Sequence, residues 1–326
     1  MVIVSKVRRK GAPLRILPPQ FRQFSALQNQ VYRPETESGS SSRRTRENEN
    51  EFYPMNTRRH FLISSVPSLS LLRAEAKSRG SFQLTLRSRV EVFKGSGDWK
   101  EIQFDQSIPL KNTAIIICDM WNNHWCSGAA RRVTVLAPKI NATVEIARKS
   151  GIRIIHAPSE TMTFYKDAPQ RLRMRDVQPV NPPATIDIPS PALPIDDSTG
   201  GCDTIADKFF KAWHREIATI RIADSDLISD NGPEIYSLLK RDGIETLLVM
   251  GVHTNMCILN RAFAIKQMTR WGIRCILIRD LTDAMYSPDD RPFVPHGQGT
   301  ELVIQHIEKY WCPTALSSNL VASLSR

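Results

Sequence analysis

The chain has 326 residues, 41% of them hydrophobic, which suits one large globular domain or two small ones. Its formal charge is +11, yet 13 Lys/Arg stand against 6 Asp/Glu in residues 1–76 and 31 against 27 in residues 77–326. The basicity lies mostly in the leader, and no basic stripe with interleaved aromatics follows it, which argues against nucleic-acid binding.

Residues 1–54 read as disordered, because "ESGSSSRRTRENENE" is polar, charged and without hydrophobic period. Residues 55–76 then place Arg58-Arg59 before Phe61-Leu62, a short apolar run and Ala74-Glu75-Ala76. That order matches a twin-arginine signal peptide with its cleavage site, and the apolar run is too short to span a bilayer. A chance Arg pair before an amphipathic helix is the plainer alternative. Three signals in the right order favour export to the periplasm, with Met55 as the start, no membrane in the mature form and residues 1–54 as translated upstream sequence. If Met1 is the start, a cytoplasmic protein is expected.

From residue 77 onward strands and helices alternate. "TAIIICD" (113–119) is a continuous apolar run of the kind a strand buried on both faces shows. Leu136, Ile140, Val144 and Ala147 fall at helical spacing, with Gly151 placed to end the helix. "IRIIHAP" (152–158) is the next strand. Residues 176–205 are Pro-rich and contain "DDSTGG", a long loop of the kind that forms a lid. "EIATIRI" (216–222) is a weak strand, "GPEIYSLLKRDG" (232–243) a helix and "TLLVMG" a strong strand. Residues 255–271 predict one helix ending before Gly272, followed by the strand "RCILIRD" (274–280) and a closing helix over 299–310. Such alternation predicts an α/β fold, a mainly parallel sheet with helices on both faces.

In open parallel sheets ligands bind beyond the carboxyl ends of the strands. Asp119 ends the first strand, His156 the second, and "GVHTNMC" (251–257) follows the central one. Cys257 is expected in a first helical turn with Thr254 as N-cap, where the macrodipole lowers a thiol pKa. A buried small hydrophobe is the plainer account of Cys257, but its position shifts the balance toward a nucleophile. For Asp119, a helix cap and a proton-transferring group stand about even. Cys118 and Cys275 lie in strand-like runs and read as core thiols; Cys126, Cys202 and Cys312 are left free or paired. Trp121 and Trp125 either wall a planar substrate or pack between loops.

"AIIICDMWNNHWC", "IIHAPSE" and "VMGVHTNMC…RDLTDAMY" together resemble the isochorismatase-like cysteine hydrolases, relatives of nicotinamidases and N-carbamoylsarcosine amidases, over roughly residues 110–312. The resemblance implies a three-layer α-β-α Rossmann-like sandwich with a six-stranded, mainly parallel sheet. It implies Cys257 as nucleophile and Asp119 as general acid/base. It further implies a cis peptide between Val252 and His253, and an oxyanion hole from the N–H groups of His253 and Cys257. The family's triad lysine has no counterpart at the end of the strand before 232–243. The cations nearby are Lys211, His214, Arg215 and Arg221, of which Arg221 is nearest in register. An Asp-x-His metal motif is also missing, so no metal and no cofactor are expected, and Trp121, His124 and His156 are assigned to the substrate pocket. The implied activity is amide C–N hydrolysis of a small molecule through a thioester. Vinyl-ether hydrolysis and a small-molecule binding protein on the same scaffold are the alternatives, and a homo-oligomer is left open.

Overall fold

The computed structural model describes residues 80–326, so the leader at 1–54 and the signal at 55–76 lie outside the described residues. The apolar run after Asn112 is strand β3 (Thr113–Cys118), every residue of it buried. Successive side chains of a strand point to opposite faces, and here both faces are covered. Ala114, Ile116 and Cys118 pack into one core, and Ile115 and Ile117 into the other.

Helix α1 (Ser127–Lys149) covers the second face with Val133, Leu136, Ile140, Val144 and Ala147, and Gly151 takes φ 86° just beyond its end. Strand β4 (Arg153–Ala157) follows, then helix α2 (Pro169–Arg175) and a long irregular stretch to the two-residue strand β5 (Leu227–Ile228). Helix α3 (Gly232–Arg241) is capped by the Asn231 side chain, which accepts from Glu234 N. It packs Ile235, Leu238 and Leu239 on the first face. Strands β6 (Thr246–Val252) and β7 (Arg274–Asp283) flank two short helices, α4 (Cys257–Asn260) and α5 (Ile265–Arg270). Helix α6 (His296–Tyr310), strand β8 (Thr314–Ala315) and helix α7 (Ser317–Leu324) complete the chain.

The sheet has eight strands rather than six. Its order is β2-β1-β8-β7-β6-β3-β4-β5, where β1 (Ser81–Glu91) and β2 (Trp99–Pro109) form a hairpin. The six strands from β8 to β5 are parallel, and β1 joins them antiparallel to β8. The three-layer α/β architecture therefore stands, extended at one edge. The hairpin has a readable period of two, since Phe82, Leu84 and Leu86 are buried and their neighbours are not.

Two further expectations are corrected. Residues 216–222 form no strand: Glu216 makes one isolated bridge to Trp121, and the chain turns at once through Ile220 N→Ile217 O (3.1 Å). The predicted helix over 255–271 is broken between Asn260 and Ile265, because Arg261 turns extended at φ −62°, ψ 152°. Thr254 caps nothing. Its hydroxyl bonds Thr282 Oγ1 at 2.7 Å and its N–H donates to Asp283 O at 2.9 Å, fastening the loop to β7.

Candidate active site

Strand β6 reaches the site at Gly251, which lies against Cys118 of β3. Gly251 has φ 114°, and a Cβ there would collide with the Cys118 backbone, so no other residue fits this approach. The chain then passes through a cis Val252–His253 peptide and winds into α4, which begins at Cys257. On the adjacent strand Asp119 leaves β3 with φ 48°, in the left-handed region where aspartate is better tolerated than most residues. These two turns at neighbouring strand ends aim a carboxylate and a thiol at each other.

Asp119 is fully buried and caps no helix. Its Oδ1 accepts from Ser159 N at 2.7 Å, and its Oδ2 from Arg261 Nε at 2.9 Å. The Cys257 thiol lies beside the Asp119 carboxylate and the His253 backbone N–H. The expectation of a lowered thiol pKa is overturned. Burial and the negative charge of Asp119 push Cys257 up to about 12, against the weaker pull of Arg261 and the His253 N–H. A four-residue helix offers little dipole to offset desolvation. At rest the nucleophile candidate is a neutral thiol.

Sequence reasoning missed Arg261. Its guanidinium joins Asp119 to Glu160, reaching Glu160 Oε1 at 3.3 Å from both Nη1 and Nη2, and lies over Trp121 at 5.9 Å. Burial opposes its charge, but Asp119 and Glu160 hold its pKa well above the ordinary arginine value. Arg261 follows Cys257 by four residues, and that spacing was the available signal. Arg221 is elsewhere: it pairs with Glu145 at 2.6 Å and is 60% exposed. Lys211 donates to Glu160 O at 3.0 Å, His214 faces Asn122, and Arg215 lies over Phe164. None of these four pairs with Asp119.

His156 is also not in the pocket. It is buried between Glu216 (Nδ1 to Oε2, 2.7 Å) and Asp226 (Nε2 to Oδ2, 3.1 Å), and Arg148 pairs with Asp226 behind it at 2.7 Å. Burial disfavours its charge, but the two carboxylates win and raise its pKa to about 9. His156 is a structural imidazolium that ties β4 to the stretch before β5.

His124 and Trp121 do line the site. Trp121 stacks on Trp213 at 4.3 Å, and His124 lies parallel to Trp213 and edge-on to His253 at 5.0 Å. Burial lowers the His124 pKa to about 4 and keeps His253 well below the usual histidine range, so both rings are neutral. Trp121 packs between loops and also faces a cavity of about 340 Å³, together with Trp125, Trp213, Cys257, Arg261 and Lys266. The other wall comes from the long irregular stretch, through Leu193, Asp197, Gly200 and Phe209. That stretch is pinned by a Cys126–Cys202 disulfide, while Cys312 remains a buried free thiol. Its Asp207 and Thr204 accept from Ser127 N (2.7 Å) and Gly128 N (3.1 Å), satisfying the first N–H groups of α1. Among the described residues one cluster could hold a metal, Cys126, Cys202 and Asp207, and its two cysteines are joined to each other.

Residues 113–292 match a family model described as the isochorismatase domain. No curated protein gives a significant sequence match. Solved structures resemble the chain at low identity. A cysteine hydrolase from Pseudomonas syringae pv. phaseolicola is 15% identical with TM-score 0.43, covering 67% of this chain and 94% of its own. An isochorismatase from Pseudomonas putida is 14% identical with TM-score 0.41, covering 65% and 91%. An isochorismatase-like hydrolase from Alkaliphilus metalliredigens is 13% identical with TM-score 0.40, covering 66% and 97%.

Proposed function

The chain belongs to the isochorismatase family, and on that premise we propose that it is a cysteine hydrolase cleaving the C–N bond of a small amide. The observation that carries this reading is a fully buried Asp119 that lies beside the Cys257 thiol and is held by Arg261 Nε at 2.9 Å. A neutral thiol is a weak nucleophile, and a carboxylate within hydrogen-bond reach can take its proton as attack begins.

Asp119 accepts the Sγ proton while Cys257 Sγ bonds to the amide carbon. The resulting oxyanion faces the N–H groups of His253 and Cys257. Collapse breaks the C–N bond, and the leaving amine takes the proton back from Asp119. Water then attacks the thioester, again giving a proton to Asp119, and the departing thiolate recovers it as the carboxylic acid is released. Arg261 places a positive charge against the Asp119 carboxylate at 2.9 Å. It takes the electrostatic role of the family's lysine from a different place in the chain.

The test is a panel of primary amides assayed with Cys257→Ala and Asp119→Asn beside the parent. Loss of turnover in the first and a fall of about 10²–10⁴-fold in the second, both folded, support the reading. Turnover retained by Cys257→Ala would end it.

We also propose that the protein is exported. Arg58-Arg59 with Ala74-Glu75-Ala76 motivates this, and the Cys126–Cys202 disulfide supports it, because such bonds persist in oxidising compartments. Residues 55–80 fused to a reporter that matures only outside the cytoplasm should direct export, and changing both arginines to lysine should abolish it. Export unaffected by that change would sink the claim.

A further inference from the structure

The charges around the cavity pair unevenly, and one cation away from the reacting centre has no ion-pair partner among the described residues. Arg261 is neutralised by Asp119 and Glu160. Lys266 also lines the cavity, yet among the described residues no carboxylate lies within ion-pair distance of it. Its ammonium donates to the neutral Asn260 Oδ1 at 2.9 Å and lies over the Trp311 ring at 5.4 Å. Arg270 crowds the same ring at 5.4 Å, so a second positive charge stands beside the first. Burial, then Arg270, lowers the Lys266 pKa, and Asp197 only partly offsets them. Asp197, the carboxylate of the lid wall, instead accepts from Asn255 Nδ2 at 2.9 Å. A half-buried ammonium without a counter-charge is unfavourable until an anion reaches it.

Lys266 and Cys257 line the same cavity, and the Lys266 ammonium is bonded to Asn260, the last residue of the helix that begins at Cys257. Trp121, Trp125 and Trp213 line the same cavity. We propose that the substrate is a small amide that also bears a carboxylate, and that Lys266 receives that carboxylate while the amide lies at Cys257 in the same cavity. This rests on the hydrolase reading for the identity of the other end of the molecule.

The inference is tested by calorimetric binding to Cys257→Ala, which needs no turnover. Two matched pairs serve as probes: 4-carbamoylbenzoate against benzamide, and succinamate against butanamide. At least one carboxylate should bind tighter than its neutral partner by about tenfold or more, as expected for a charge-assisted hydrogen bond in a partly buried site. That preference should vanish in Cys257→Ala/Lys266→Met and largely survive in Cys257→Ala/Lys266→Arg. Methionine keeps the apolar stem against Trp311, and an unchanged melting temperature verifies the fold. Absence of preference in both pairs, or a preference that survives Lys266→Met, overturns the proposal. A Lys266-dependent carboxylate amide that the parent enzyme binds but never hydrolyses overturns the hydrolase reading and leaves the anion subsite standing. Hydrolysis of both members of each pair with equal KM does the reverse.

Discussion

Arg261 Nε donates to Asp119 Oδ2 at 2.9 Å, so the residue four places after the candidate nucleophile neutralises the candidate base. Asp119 is fully buried and the Arg261 side chain is 19% exposed, which makes this a largely desolvated pair. Breaking such a pair leaves a buried charge unmatched and typically costs about 3–5 kcal/mol. Arg261→Gln should therefore lower unfolding free energy by that order and suppress turnover. Arg261→Lys should restore stability and part of the activity, since it keeps the charge while losing the fork that also holds Glu160. Denaturant unfolding of the three proteins checks this, and an unperturbed Arg261→Gln would count against the pairing.

The Cys257 thiol should alkylate slowly at neutral pH. Burial and Asp119 hold its pKa near 12, so the rate with iodoacetamide should climb through the alkaline range without a plateau near 9. In Asp119→Asn the negative neighbour is gone, and the midpoint should move down even though turnover is lost. A native midpoint at or below the ordinary cysteine value would refute this account of the resting site.

Stability should fall from neutral to mildly alkaline pH on account of His156. Its folded pKa of about 9 lies above the ordinary value of 6.5. The folded state therefore binds the proton more tightly than the unfolded chain. The contribution is complete below about 6.5 and is lost as pH rises through about 9. Melting temperatures between these values should decline in the parent. His156→Gln should be less stable at every pH, because it strands Glu216, and its decline in this window should be shallower. An equal slope in both proteins would remove His156 as the cause.

The Cys126–Cys202 disulfide closes a loop across 76 residues of sequence. Cross-links of that span restrict the unfolded chain and typically stabilise by about 2–4 kcal/mol. The Cys126→Ser/Cys202→Ser double variant should lose stability of that order. This wall of the cavity should also become more open to protease, because Cys202 lies two residues past the cavity-lining Gly200. Cleavage between residues 176 and 226 at equal rates with and without the disulfide would show that other contacts hold the wall.

The period of the apolar residues determined the sheet and its helices. A short unbroken apolar run bounded by turn residues suits a doubly buried strand, and strands β3, β4, β6 and β7 were legible for that reason. Asp119 and Cys257 were legible as well, since the ends of parallel strands converge wherever the sheet is wound this way. The first hairpin left a weaker trace. Its inner strand alternates, but its outer strand is an exposed edge with little apolar pattern to read.

What tertiary structure decided was which charge meets which. Arg221 stood nearest in linear register to the expected cation, yet a turn after Glu216 carries it out to Glu145. Arg261 lay inside the predicted helix without a role, and only the fold shows that it meets Asp119. His156 sits at a strand end as a ligand-binding histidine would, but Glu216 and Asp226 close over it from 60 and 70 residues further along the chain. The thiol's protonation follows the same logic. A helix start in the sequence suggests a lowered pKa, whereas burial beside a carboxylate raises it. Hydrophobic period is a local property that one strand or helix carries alone. Charge pairing and desolvation depend on groups far apart in the chain, and they take their values only when the fold brings those groups within a few ångströms.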